Sequence, residues 1–155
     1  MRCNVGVDPK LLVDQHLVAE SVELKMVTGM MRYRINKGQK FGQSPDTFRL
    51  AKGHMLFFTN KLSYLARRIL CINDEMRRRG FKPGAPDFID PNEFGDEYNG
   101  DWSPTITDSN LIRDRLAEKM LAKPPGFWRM NKGYLFNDEL DGIITTIYNS
   151  KVYHV

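Results

Sequence analysis

Residues 14–24 read DQHLVAESVEL, and the orientation of this stretch decides how the chain folds. It lies in a run with helical periodicity, so each side chain takes a direction at about 100° per residue. His16, Glu20 and Glu23 point the same way within roughly 60°. Leu12, Ala19, Met26 and Met30 flank them on one side; Val13, Leu17, Leu24 and Met31 flank them on the other. Asp14, Ser21, Lys25, Thr28 and Arg32 occupy the opposite arc, where solvent is expected. A histidine and two carboxylates thus stand in the middle of an apolar face. Burying an unpaired carboxylate costs several kcal/mol, so such groups survive when they are paired or when chemistry requires them. The trio is either a buried ion-pair network between packed helices or the floor of a cleft.

Working outward, the pattern predicts a first helix over 9–36, with Asp8 as N-cap and Pro9 at the first helical position. The segment INKGQKFGQSPD (35–46) breaks it, and a short turn is expected around TFRLAK (47–52). A second helix spans 53–79, where Phe58, Leu62, Leu65, Ile69, Ile72 and Met76 recur at helical spacing and Gly80 supplies a left-handed stop. A third covers 108–123 and ends before Pro124-Pro125. Four prolines and several glycines make 81–107 an ordered loop without strands. Its aromatics (Phe81, Phe88, Phe94, Tyr98, Trp102) are expected to pin it to the helices. The tail YLFNDELDGIITTIYNSKVYHV (134–155) has apolar residues enough for a short helix or strand. The class is mainly α: a single compact domain of three main helices with long ordered loops.

At 155 residues the chain suits one domain with a real core. No apolar run approaches the roughly 20 residues that cross a bilayer, and the N-terminus carries no signal-peptide core, so a cytoplasmic protein without membrane attachment is expected. Cys3 and Cys71 have no metal-binding spacing, and His16, His54 and His154 are scattered, so neither metal nor cofactor is expected. Charge is strongly polarised. Residues 83–112 hold seven acids (Asp87, Asp90, Glu93, Asp96, Glu97, Asp101, Asp108) and no Lys or Arg, so the rest of the chain must carry +11 to reach the net +4. A basic body with one acidic flank suits either a nucleic-acid footprint or an ordinary solvated surface.

Two further constellations bear on chemistry. The N-terminus reads MRCNVGV. Arg2 is too large for removal of the initiator residue, so Met1 is expected to be retained. Seven residues of extended chain, at roughly 3.4 Å each, let the amine reach back about 20 Å to the face bearing Glu23. An α-amine titrates near 7.8, against about 10.4 for lysine, and so supplies far more neutral nucleophile at pH 7. The alternative is a frayed terminus. Further on, GFWRMNKGY (126–134) interleaves Phe127, Trp128 and Tyr134 with Arg129 and Lys132, after a helix carrying Arg115 and Lys119 one turn apart. Cations for phosphates and rings for stacking suit DNA; a core with surface cations is the plainer reading.

Six segments, in order, resemble the pyrimidine-dimer DNA glycosylase/AP-lyase family of the endonuclease V type. DPKLLVDQHLVAESVEL is similar to its D-Q-H-L-x-A-E helix with a catalytic glutamate three residues later. GHMLFFTNKLSYLARR resembles G-H-x-x-F-F-x-D-K-L-x-F-L, with Asn60 for the acid. RRRGF, EYNGDWSP, RLAEK and FWR resemble a K-R-G-F helix end, an E-F-x-G-D-Y-x-P loop, R-L-D-E-K, and an aromatic pair followed by lysine. The resemblance covers 1–134, read as the glycosylase/AP-lyase domain, with 135–155 as a C-terminal extension packed on it. It implies an all-α monomer acting on double-stranded DNA that holds a damaged, modified or abasic nucleotide. It also implies a phage source and hence a host-cell cytoplasm. The amine of Met1 then attacks C1′ of the sugar with Glu23 assisting. Arg2, His16, Arg115, Lys119, Trp128 and Arg129 contact DNA, and Glu20 is a structural partner. Where the family carries arginines beside the catalytic glutamate, this chain has Val22 and Met26, which implies a different lesion, a modified base or a distorted DNA as target. A non-catalytic DNA-binding protein on the same scaffold is the alternative.

Overall fold

The computed structural model describes residues 3–51 and 53–155. Helices supply nearly all the regular structure: α1 (Asp14–Glu23), α2 (Met26–Asn36), the single turn α3 (His54–Phe57), α4 (Leu62–Arg78), α5 (Ile106–Leu121) and α6 (Asn137–Asn149). Short 3-10 turns stand at Pro9–Leu11 and Asp96–Tyr98. Between α5 and α6, β1 (Arg129–Met130) and β2 (Gly133–Tyr134) pair antiparallel as a hairpin. The fold is mainly α, as expected, and the tail supplies both a strand and a helix.

The first two expected helices are each broken, and each break has a long-range cause. Asp8 does cap the first turn, accepting from the Lys10 amide at 2.9 Å, with Pro9 following. The α-helix nevertheless starts only at Asp14, because Leu12 is extended. The guanidinium of Arg79 donates to the carbonyl oxygens of Pro9, Lys10 and Leu12 at 3.2, 3.1 and 2.7 Å. Carbonyls held in this way are lost to the amides four residues on. At Leu24–Lys25 the helix bends. Thr28 Oγ1 bonds back to the Lys25 carbonyl at 3.0 Å, and Lys25 Nζ donates to the carbonyls of Gly84 and Pro86. The second helix is interrupted between Phe58 and Lys61, where the Asn60 carbonyl faces Gly100. A Cβ at residue 100 would lie 2.3 Å from that oxygen, so only glycine fits. Gly80 stops α4 at φ +73, as expected, with the Phe81 amide returning to the Met76 carbonyl at 2.8 Å. A Thr105/Asp108 capping box starts α5 two residues earlier than periodicity predicts.

The core gathers Leu17 and Leu24, Val27 and Met31 of α2, Phe57 and Phe58, the inner face of α4, and Ile112 and Leu116 of α5. Trp102 pins the long loop by stacking on Phe48 at 5.7 Å and meeting Tyr64 edge-on at 5.0 Å. Phe88 does not help; it is exposed.

The expected solvent arc of α1 and α2 needs correcting. Asp14, Ser21 and Thr28 are buried, while Val22 and Met26 are exposed. The buried face is centred on Leu17 and Leu24, because α4 offers polar partners to its polar edge: Ser21 Oγ donates to Asn73 Oδ1 at 2.6 Å. Glu23 therefore sits at the border of the buried face rather than its middle. The acidic segment is not a detached flank either. Glu93, Asp101 and Asp87 pair with Arg32, Arg67 and Arg77, drawing it onto α2 and α4.

Candidate active site

Glu20 and Arg68 are both fully buried, with Nε–Oε1 at 2.8 Å and Nη2–Oε2 at 3.2 Å. A buried ion pair offsets its desolvation only when further hydrogen bonds complete it, and here the N-terminal segment does so. Asn4 donates its main-chain N–H to Glu20 Oε1 at 3.1 Å and its side-chain amide to Oε2 at 2.6 Å. Arg68 donates in turn to the carbonyls of Asn4 and Val7 at 3.0 and 2.8 Å. Burial opposes the charge on Arg68, but the Glu20 carboxylate outweighs it and holds the guanidinium charged. Burial also pushes the Cys3 thiol and the Tyr64 hydroxyl well up, so both stay neutral. The pair forms a socket for residues 4–7, which gives Glu20 the structural role expected of it.

One turn further on, Glu23 lines a cleft of about 560 Å³. Val18, Ala19 and Val22 of α1 and the ring of Phe81 form its apolar walls. Glu23, Asp14, Gln15, Arg129 and Lys132 supply its polar groups. A second cleft, about 460 Å³, is lined by Gln15, His16, Lys119, Ala122, Lys123, Phe127 and Trp128. Gln15 stands between the two. Its amide donates to the Phe127 carbonyl at 2.6 Å and accepts from the Arg129 N–H at 3.0 Å.

Asp14 does for the hairpin what Glu20 does for the N-terminal segment. Its carboxylate accepts from the main-chain N–H groups of Asn131 and Lys132 at 3.1 and 2.7 Å, and from Arg79 Nη1 at 2.8 Å. Asn131 and Lys132 are the two central residues of the hairpin turn, and both have positive φ, +49 and +70. Side chains disfavour that conformation, so the carboxylate compensates a strained turn. From this turn Arg129 lies 5.0 Å over the Tyr134 ring, and Lys132 Nζ bonds to the Gly80 carbonyl above Phe81.

Met1 and Arg2, expected as nucleophile and phosphate contact, lie outside the described residues. His16 is buried against Trp128, ring centroids 4.6 Å apart. Trp128 is itself only 6% exposed and donates its indole N–H to the Met120 carbonyl. The ring offered to solvent is that of Phe127, 43% exposed. Arg115, partly buried on α5, exerts its charge on Cys3 and His54, and Lys119 one turn later reaches the second cleft. Lys132, read from sequence as a cation beside Arg129, lines the first cleft, as does Phe81, while Asp14, Gln15 and Val18 belong to it without having been site candidates. An Asn-Lys-Gly between aromatics was a legible hairpin signal; the acceptor that seats the turn was not. Among the described residues no group of three or more His, Cys, Asp or Glu is placed to hold a metal ion. Among them, too, no helix is long and apolar enough to cross a membrane.

Residues 2–88 match the pyrimidine dimer DNA glycosylase family model. The chain belongs to this family. The match takes in the N-terminal segment, α1 with Glu20 and Glu23, and α4 with Arg68. The hairpin, the cations of α5 and all of α6 lie beyond it. Membership makes DNA with damaged bases the substrate class of this glycosylase fold.

Proposed function

We propose that this chain is a DNA N-glycosylase with AP-lyase activity, using the α-amine of Met1 as nucleophile and Glu23 as its assisting carboxylate. The neutral amine attacks C1′ of the extruded nucleotide. The glycosidic bond breaks, the base leaves with a proton, and sugar-ring opening gives an imine between C1′ and the amine. Loss of a C2′ proton then breaks the C3′–O bond and expels the 3′ phosphate, and water returns the free amine. Glu23 stabilises the cationic sugar and relays protons, more effectively beside apolar walls than in open water. Arg2, Arg115, Lys119 and Arg129 supply cations to the duplex, while His16 and Trp128, expected as contacts, are packed on each other and back the wall of the second cleft. On this reading the protein works as a monomer in the cytoplasm of a phage-infected cell, without metal or cofactor.

One observation carries the reading: the Glu20–Arg68 socket holds Asn4 against α1, one helical turn from Glu23. Two residues can span at most about 7 Å, so an amine at Met1 cannot be further than that along the chain from Cys3. A second reading, a non-catalytic DNA-binding protein or one acting on another lesion, draws on Val22 and Met26, which leave exposed apolar side chains, 57% and 47%, on the α1–α2 surface.

Borohydride reduction on an abasic duplex separates them. A covalent adduct is expected, lost when the N-terminal amine is acetylated. Glu23→Gln is expected to slow strand nicking by at least about a hundredfold while duplex affinity stays within about threefold. Salt-sensitive binding with no adduct on any abasic duplex would leave the non-catalytic reading standing.

A further inference from the structure

We propose that Asp14 is a positioning residue for DNA binding: by accepting the two N–H groups of the strained 131–132 turn, it aims Arg129 and Lys132 at phosphates beside the Glu23 cleft. The inference rests on the DNA-binding reading above.

Five observations converge on it. Asp14 is 4% exposed, yet its carboxylate is spent on a hairpin of only two residues per strand. Of its four strand residues only Met130 packs against a buried cluster, so apolar contact does little to hold its direction. Its tip uses two left-handed residues, of which Lys132 has neither glycine's freedom nor asparagine's tolerance. Gln15, the next residue of α1, takes the Arg129 N–H and the Phe127 carbonyl, so two consecutive residues hold the segment at four points. Arg79 bonds to Asp14 on one side and Glu75 on the other, at 2.8 and 2.7 Å, which anchors the mount to the end of α4. Among the described residues lining the first cleft, the cations this mount presents are the only Lys and Arg. A phosphate needs those cations fixed before it arrives, since ordering them on binding would cost affinity.

The test uses the full chain and a duplex holding a tetrahydrofuran abasic analogue, which is bound but not cleaved. Fluorescence anisotropy across a salt series gives the affinity and its salt slope. Asp14→Asn keeps one acceptor and loses the charge. It is expected to weaken binding about tenfold and to lower the salt slope by about 1 to 2, as if two phosphate contacts were lost. Adding Asn131→Gly, which removes the strain at one of the two left-handed positions, is expected to restore part of the affinity. In an Arg129→Ala/Lys132→Ala background Asp14→Asn should cost less than about twofold. Should Asp14→Asn not fold, Gln15→Ala replaces it, with the same slope change and the same loss of effect beside Arg129→Ala. An unchanged slope, an equal penalty in both backgrounds, or no rescue by glycine overturns the inference. If wild type binds no duplex at all, it is the DNA-binding reading that fails.

Discussion

His54 lies 2% exposed between the rings of Phe48 and Phe58, with centroids 5.3 and 5.4 Å away. Its Nδ1–H donates to the Arg49 carbonyl at 2.8 Å, while Nε2 meets no hydrogen-bond partner among the described residues. A proton on Nε2 would place a charge among rings. Burial therefore lowers the pKa of His54; the Arg49 carbonyl pulls it back up and the charge of Arg115 adds to the lowering. The sign of the pH effect follows. As pH falls below the ordinary histidine value, the unfolded chain takes up a proton that the folded one refuses, so stability falls with pH in that window. Thermal midpoints measured from pH 7.5 to 5 are expected to drop more steeply for wild type than for His54→Gln; parallel curves would exclude the effect. Glu20 and Glu23 make a related point about burial. They share a residue type and stand three positions apart, yet Glu20 is locked by a guanidinium and an amide while Glu23 lines the cleft.

Among the elements, helix breaks set the site more than helices do. The bend at Leu24–Lys25 leaves Glu23 at a helix end beside the cleft, and the interruption at Asn60 lets the Gly100 loop cross close to the chain. Gly100 has no room for a methyl group: it would sit 2.3 Å from a main-chain oxygen. Backbone must move, and the Ser63 N–H bond to the Gly100 carbonyl, 3.2 Å, would go with it. Gly100→Ala is expected to cost about 2 kcal/mol or more in urea unfolding, within the range of overpacked sites. A cost below about 0.5 kcal/mol would mean that the loop yields freely.

On the scale of the whole molecule, charge is arranged by pairing. The acidic loop covers Arg32, Arg67 and Arg77 on α2 and α4. The cations at the two clefts (Arg129 and Lys132 in one, Lys119 and Lys123 in the other) come instead from α5, its C-terminal end and the hairpin. Neutralising the loop with Asp87→Asn/Glu93→Gln/Asp101→Asn is expected to raise non-specific duplex affinity and steepen its salt slope. Stability should change by no more than about 1 kcal/mol per exposed pair. A slope no steeper than wild type would show that the loop does not mask the three arginines. By itself the sequence determined the mainly helical class, the Gly80 stop, the Asp8 cap, the strandless loop and the family's signature helix, because each is written in neighbouring residues through periodicity, capping or left-handed backbone. Tertiary structure alone decided where the first helix begins, which face of α1 is buried, and which arginine pairs with Glu20. Those outcomes turn on Arg68, Arg79 and Asn73, partners some fifty to seventy positions away, and local pattern carries no record of hydrogen bonds made across such a distance.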